Sequence, residues 1–425
     1  MIITTTKESL FALGLIEKEG AETAYMNMSV DCFAENTAKQ TALFILYSDL
    51  LQSGAGPYTR DEFQRACDEI GTKLCVTTAG GVVTVTLASL ATKITPSLKL
   101  LEEMLTKPAF KATEFKRAVL TLKNALEQSR ENARGLAQTL LKNALFEKTS
   151  RQYGFLPDEL LAAVNTVTLD DIKNLHRELL LAYWTVSIGG AKKSLAAGVK
   201  MLNSVKNSSV SPTLVHTKAR TNTRRAVVLH EVKSKQNIEL SIGGSIPLTL
   251  QTPDSAAFAF GLAVLGKWGG FSGRLMSTVR EKEGLTYGIY AKTEGITVNE
   301  TGYWRIMTFF APKDAVKGIT STLREVTAIA EKGILDSELS RFKTILKTSE
   351  TLMFDSLTRT VDLVHGNLAA GLTWDEYLAF RKQFQTLTKK EVNLALKKHL
   401  NPKNLVISAA GPITSVKKDL QKFAK

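Results

Sequence analysis

The sequence has little of what would name a function directly. Only three of its 425 residues are cysteine, Cys32, Cys67 and Cys75, and no two form a C-x-x-C. That excludes a disulfide scaffold and a cysteine zinc ribbon. Cys67 and Cys75 lie in patterned segments and are expected to be buried apolar side chains. The five histidines, His176, His216, His230, His365 and His399, include no two placed three or four apart. No helix can then present a paired-histidine metal face; His176 reads as a surface or packing residue within its helix. Long apolar runs are missing too. Nothing approaches ~18 uninterrupted apolar residues, so no membrane span is expected. The run from Leu10 to Ile16 contains Gly14, is closed by Glu17 and has no basic lead, which makes a poor secretory signal. The expected location is the cytoplasm, or the periplasm if a leader has been removed.

What is present is ordinary for a globular chain: 44% hydrophobic and 23% charged residues. The formal net charge of +14 bears on solubility and acidic partners, not on fold. Basic residues are spread through helical segments without interleaved aromatics, so they read as solvated helix faces. No nucleic-acid partner is expected.

One stretch stands apart in composition. Residues 203–225, NSVKNSSVSPTLVHTKARTNTRR, are polar, basic and Ser/Thr-rich, which is linker character. The linker divides the chain into an N-terminal domain, 1–202, and a C-terminal domain, 226–425. The halves resemble each other. Glu114-Phe115-Lys116-Arg117 matches Glu338-Leu339-Ser340-Arg341. Thr168-Leu169-Asp170-Asp171-Ile172 matches Thr388-Lys389-Lys390-Glu391-Val392, and each of these leads through a helix into an apolar strand. Matches in the same order at similar offsets point to duplication of a ~220-residue unit.

Within the first half, 37–53 is a helix with an apolar centre, and Thr59 with Glu62 forms a capping box for a helix to Ile70. Alternating Val and Thr in 74–78 and 82–90, around Gly80 and Gly81, give a hairpin. Residues 94–105 and 111–145 are helical, the second as one long helix. The fold class is α+β: each half a mostly antiparallel sheet covered by helices.

Two Gly-rich possibilities fail on chemistry. Gly270-Phe271-Ser272-Gly273 is not G-x-S-x-G, and GKWGGFSG lacks the G-K-[ST] of a phosphate loop. The informative segment is GGFSGRLMSTVREKEGLTYGIY, Gly269 to Tyr290. It reads as a tight turn, then an amphipathic helix with Leu275, Met276 and Val279 on one face, then a strand. Arg280 closes the helix and Tyr287 opens the strand, so a guanidinium and a phenol can meet across the turn.

This segment resembles the second-half signature of the pitrilysin/insulinase family of zinc peptidases, in which a Gly-Gly-Phe-Ser-x-Arg-Leu turn leads into Arg-Glu-Lys-x-Gly-Leu-x-Tyr. The resemblance implies a clam-like chain of two homologous halves. It places Arg280 and Tyr287 on the family's substrate-binding pair, with Gly269, Gly270, Phe271 and Ser272 forming the turn that lets the main chain approach substrate. Active members carry His-x-x-Glu-His on the first long helix. Registered on Gly54, those positions hold Ile45, Leu46, Tyr47, Ser48 and Asp49. The family's further ligand, a glutamate, falls near Glu127. None of this set can hold zinc.

The resemblance therefore implies the zinc-less subunit of a heterodimeric metalloendopeptidase, inactive alone. Zinc is expected in a homologous partner chain and none in this one; unfolded peptide is the substrate. The alternative is a catalytically inert scaffold of the kind the family supplies as core subunits to respiratory complexes.

Overall fold

The first helices begin where threonine side chains take up free backbone donors. A computed structural model of the chain describes residues 1–206, 208–210, 214–220, 224–267 and 270–424. The first half runs β1 (Ile2–Lys7), β2 (Phe11–Glu17), β3 (Thr23–Asp31), α1 (Ala38–Leu51), α2 (Arg60–Glu69), β4 (Lys73–Ala79) and β5 (Val82–Leu90). It continues through α3 (Ile94–Thr106), α4 (Ala112–Ser129), α5 (Ala133–Leu145), α6 (Pro157–Val164), α7 (Leu169–Leu181), β6 (Trp184–Gly190) and α8 (Lys192–Val205). The second half opens with β7 (Ala226–Glu231), β8 (Ile238–Ile246), α9 (Ser255–Gly266), a helical turn (Met276–Lys282), β9 (Ile289–Glu294) and β10 (Gly302–Phe310). It closes with α10 (Ala315–Lys332), α11 (Asp336–Met353), α12 (Leu357–Ala369), α13 (Trp374–Thr386), α14 (Lys389–His399), β11 (Val406–Gly411) and α15 (Lys417–Gln421).

Thr37 Oγ1 accepts the Gln40 N–H at 3.1 Å and starts α1. The Glu62 carboxylate accepts the Thr59 N–H at 2.8 Å and starts α2. Asn132 overturns the expectation of one helix over 111–145. Its side chain accepts the Gly135 N–H at 3.1 Å, so it caps a new helix, α5, rather than continuing α4. Asparagine competes for backbone bonds in this way and favours helix starts over helix interiors.

Two compact units interleave along the chain. The first comprises Met1–Leu126, Asp158–Val215 and Glu350–Tyr377, and the second Glu127–Pro157, His216–Ser349 and Leu378–Lys425. The first contains a six-stranded sheet in the order β1-β2-β6-β3-β5-β4. Only β2 and β6 pair in parallel; the remaining neighbours are antiparallel. Alternation along β5 buries Val83, Val85 and Leu87 on one face, as period two requires. The same rule corrects the expectation for Cys75: it sits on the outward phase of the edge strand β4 and is exposed, whereas Cys67 is buried.

The second unit has a five-stranded sheet, β7-β11-β8-β10-β9, again with one parallel pair, β7 and β11. Its pairings repeat those of β2-β6-β3-β5-β4 element for element, which is the duplication made visible. The matched sequence segments are structurally equivalent too. Thr168 with Asp171, and Thr388 with Glu391, form capping boxes on α7 and α14, which lead into the equivalent strands β6 and β11. The core of this unit gathers Leu240, Ile242, Trp304 and Ile306 of the sheet against Phe258 and Phe260 of α9.

Each sheet is also covered by a helix from the other half of the sequence. α5 lies on β7, β11 and β8, and α12 lies on β2, β6 and β3. Glycine permits the close approach of α12: a Cβ on Gly189 would come within 2.3 Å of Val361 Cγ2, and one on Gly14 within 2.6 Å of Val364 Cγ1. Among the described residues, no helix is long and apolar enough to cross a membrane. Gly189→Val should overpack this face and lower stability by about 1–3 kcal/mol; urea unfolding that leaves the midpoint in place would refute the close-approach account.

Candidate functional site

The signature segment begins at the end of α9, a helix buried on nearly every side. The chain folds straight back on it. Gly273 takes φ +113°, and a Cβ there would lie 2.8 Å from Gly266 Cα and 3.0 Å from the Leu265 carbonyl oxygen. Only glycine tolerates both the dihedral and the approach. The turn is closed by the Lys267 N–H donating to the Ser272 carbonyl at 3.2 Å, and Lys267 bridges in parallel to Ala291 on β9.

Leu275, Met276 and Val279 are fully buried, matching the amphipathic spacing. The turn they belong to is wider than an α-helix. The Glu283 N–H reaches back five residues to the Thr278 carbonyl, and the Leu285 N–H reaches back six to Val279, both at 3.0 Å. Such π-type widening re-aims side chains and recurs at functional sites. Two expectations shift as a result. Arg280 lies inside the turn, which runs on to Lys282, and the strand opens at Ile289, two residues beyond Tyr287.

The three candidate side chains meet nonetheless. The Arg280 guanidinium carbon lies 4.6 Å from the Phe271 ring centroid and 5.3 Å from that of Tyr287. Both are cation–π distances. Phe271 is 59% and Tyr287 69% exposed, high values for large rings. Among the described residues, the Arg280 guanidinium has no hydrogen-bond or ion-pair partner. Gly270 and Ser272 shape the turn beside this group, and Gly269 lies outside the described residues.

Sequence reasoning passed over the interaction that holds the turn. Arg274 donates through Nε and Nη2 to the two oxygens of Glu338, each at 2.7 Å, and Nη2 also meets the Gly333 carbonyl at 2.8 Å. The Leu335 N–H donates to the same carboxylate at 2.8 Å. Burial alone would raise the Glu338 pKa, but these donors outweigh it and hold the carboxyl below its ordinary value. A signal was available. Glu338 belongs to the internal repeat, and its counterpart Glu114 accepts from Arg60 Nε at 2.7 Å in the first unit.

On α1, the residues registered on the family's His-x-x-Glu-His motif make structural contacts, and the two buried ones lie at its spacer positions. Leu46 and Tyr47 are buried, and the Tyr47 hydroxyl meets His176 Nδ1 at 2.9 Å. Burial depresses the His176 pKa to about 4, so the ring is a neutral core residue. The Ser48 hydroxyl donates to the Ile45 carbonyl at 2.8 Å, and Asp49 pairs with Arg60 at 3.2 Å. Glu127 is paired with Arg130. Among the described residues, no group of three or more His, Cys, Asp or Glu could hold a metal ion.

Residues 21–157 match the family model for insulinase, peptidase family M16, and residues 166–346 match the model described as the peptidase M16 inactive domain. The chain belongs to the M16, pitrilysin/insulinase, family. A curated relative is the non-peptidase homolog YmxG of Helicobacter pylori, 23% identical over 385 residues, covering 89% of this chain and 86% of that one. The crystal structure of a peptidase M16 inactive domain from Pseudomonas fluorescens superposes with TM-score 0.83 at 21% identity, covering 97% of this chain and 98% of that one. A chain of Complex III2 from Candida albicans superposes with TM-score 0.74 at 15% identity over 100% of both chains. The chain thus has the M16 fold and an inactive, non-peptidase relative, and its described residues hold no zinc-binding set.

The Arg274–Glu338 fork is open to test through pH. Glu338 titrates lower folded than unfolded, so its contribution is complete above about pH 4.5 and is lost as pH falls toward the depressed folded value. Glu338→Gln should cost about 1–3 kcal/mol at neutral pH. That gap should close in acid; a pH-independent gap in denaturant melts would count against the assigned charge pair.

Proposed function

We propose that this chain is the non-zinc subunit of a two-chain M16 peptidase and lends Arg280 and Tyr287 to a partner that carries the metal. The observation that carries this reading is the exposed Phe271–Arg280–Tyr287 group: a guanidinium with no carboxylate partner among the described residues, on a turn fixed from behind by Arg274 and Glu338. Large rings left in solvent side by side mark a surface that meets another molecule. Loss of the zinc set on α1 together with a built Arg/Tyr turn fits a division of labour between chains.

The chemistry follows from charge. A metal held by the partner's His-x-x-Glu-His residues would supply a water activated toward a peptide carbonyl, on whose oxygen negative charge would develop. The Tyr287 hydroxyl donates a hydrogen bond to that oxygen. Arg280 holds a neighbouring main-chain carbonyl with its donor fork. An unfolded peptide presents such carbonyls at regular spacing, whereas a folded one has them already paired.

A second reading is an inert scaffold, favoured by the full-length match to a chain of a respiratory assembly. The two separate in one reconstitution. Alone, the chain should bind no stoichiometric zinc and hydrolyse nothing. With a homologous subunit bearing His-x-x-Glu-His, peptide hydrolysis should appear, and Tyr287→Phe should lower turnover by about 100-fold or more. Stable assembly with turnover indifferent to Tyr287→Phe would leave the scaffold reading in its place.

A further inference from the structure

A second cation stands at the turn after α9. Lys267 caps the end of α9, and its Nζ lies 3.7 Å from where a Cβ on Gly270 would sit, so the ammonium borders the same turn that carries Phe271. Among the described residues, it has no ion pair or hydrogen bond through its side chain. Its backbone is fixed by the bond to Ser272 and by the bridge to Ala291. The carboxylates of the following helical turn do not neutralise it: Glu283 is held by Ser321 and Arg324, and Glu281 is exposed to solvent.

The charge of the surrounding unit points the same way. The unit containing this turn holds 35 basic and 17 acidic residues, while the other holds 20 and 24. All of the chain's excess positive charge therefore belongs to the unit bearing the candidate site. A field of that sign concentrates anionic ligands and disfavours basic ones.

We infer that Lys267 is a specificity-determining residue that pairs with an acidic side chain of the bound peptide, so that the site selects peptides carrying Asp or Glu. This rests on the peptide-binding reading above. Gly270, next to the ammonium, adds no side chain there, and Arg280 remains available for main-chain carbonyls. The pair forms at a half-buried position, so its contribution is modest and salt-sensitive.

The test uses the full chain and fluorescein-labelled unstructured peptides, identical except for Glu or Gln at one position scanned along their length. Binding is read by fluorescence anisotropy. At one register the Glu peptide should bind about fivefold tighter than its Gln twin. Lys267→Ala should abolish that preference, Lys267→Arg retain it, and Lys267→Glu reverse it. Raising the salt toward 1 M, where the Debye length is ~3 Å, should shrink it. A lysine that merely complements the end of α9 would change thermal stability without touching the ratio. Absence of binding, absence of any Glu preference, or a preference untouched by Lys267→Ala overturns the inference. If Tyr287→Phe still cuts turnover in the reconstituted peptidase, only the role of Lys267 has failed; if it does not, the peptide-site reading has failed with it.

Discussion

The fork between Arg274 and Glu338 is the constraint on which the site depends. It ties the turn after α9 to the start of α11, using two 2.7 Å charge-assisted bonds and a backbone carbonyl. Behind it, Leu275, Met276 and Val279 are sealed into the core. In front, Phe271 and Tyr287 stand exposed, each within cation–π distance of Arg280. A rigid buried side with an exposed cationic and aromatic side is what a binding surface requires, since ordering costs are met in folding and not on ligand arrival. The widened turn adds the last adjustment, by aiming Arg280 toward both rings at once.

The same architecture explains how a peptidase fold persists without its metal. The first unit repeats the strand pairings of the second, and Arg60–Glu114 repeats the Arg274–Glu338 contact. Yet the helix that bears zinc ligands in active members is here a packing element, with Tyr47 hydrogen-bonded to a neutral His176. At the ligand positions stand Ile45 and an Asp49 paired with Arg60, while the buried spacer residues Leu46 and Tyr47 keep the helix on its core. The exchanged helices α5 and α12 make the duplication interdependent, because each half of the sequence supplies a cover for the other half's sheet.

Much of the fold was legible from residues alone, because the decisive signals were local. Thr59 with Glu62 announces a helix start through a bond spanning three residues, and the repeat at Thr168–Ile172 marks the approach to another. The Val/Thr alternation of β5 announces a half-buried strand. The candidate site was legible as residue types in a spaced segment, GGFSGRL and REKEGLTY. Local pattern failed where a competing side-chain bond or a strand phase intervened. Asn132 ended a helix that propensity would have continued, and Cys75 faced outward on an edge strand.

The sequence by itself determined fold class, internal duplication and the absence of a zinc-ligand set, because each is written in residue type and short spacing; the Arg/Tyr pair was pointed to by resemblance to the family. Tertiary structure alone decided that Arg274 is structural while Arg280 is open, since the two arginines six residues apart look alike until Glu338 is placed beside one of them. It also decided that α5 and α12 cross to the other half's sheet, and that Lys267 stands at the turn with no pair among the described residues. Those facts are distances between residues remote in sequence, and such distances exist only once the chain has closed its loops.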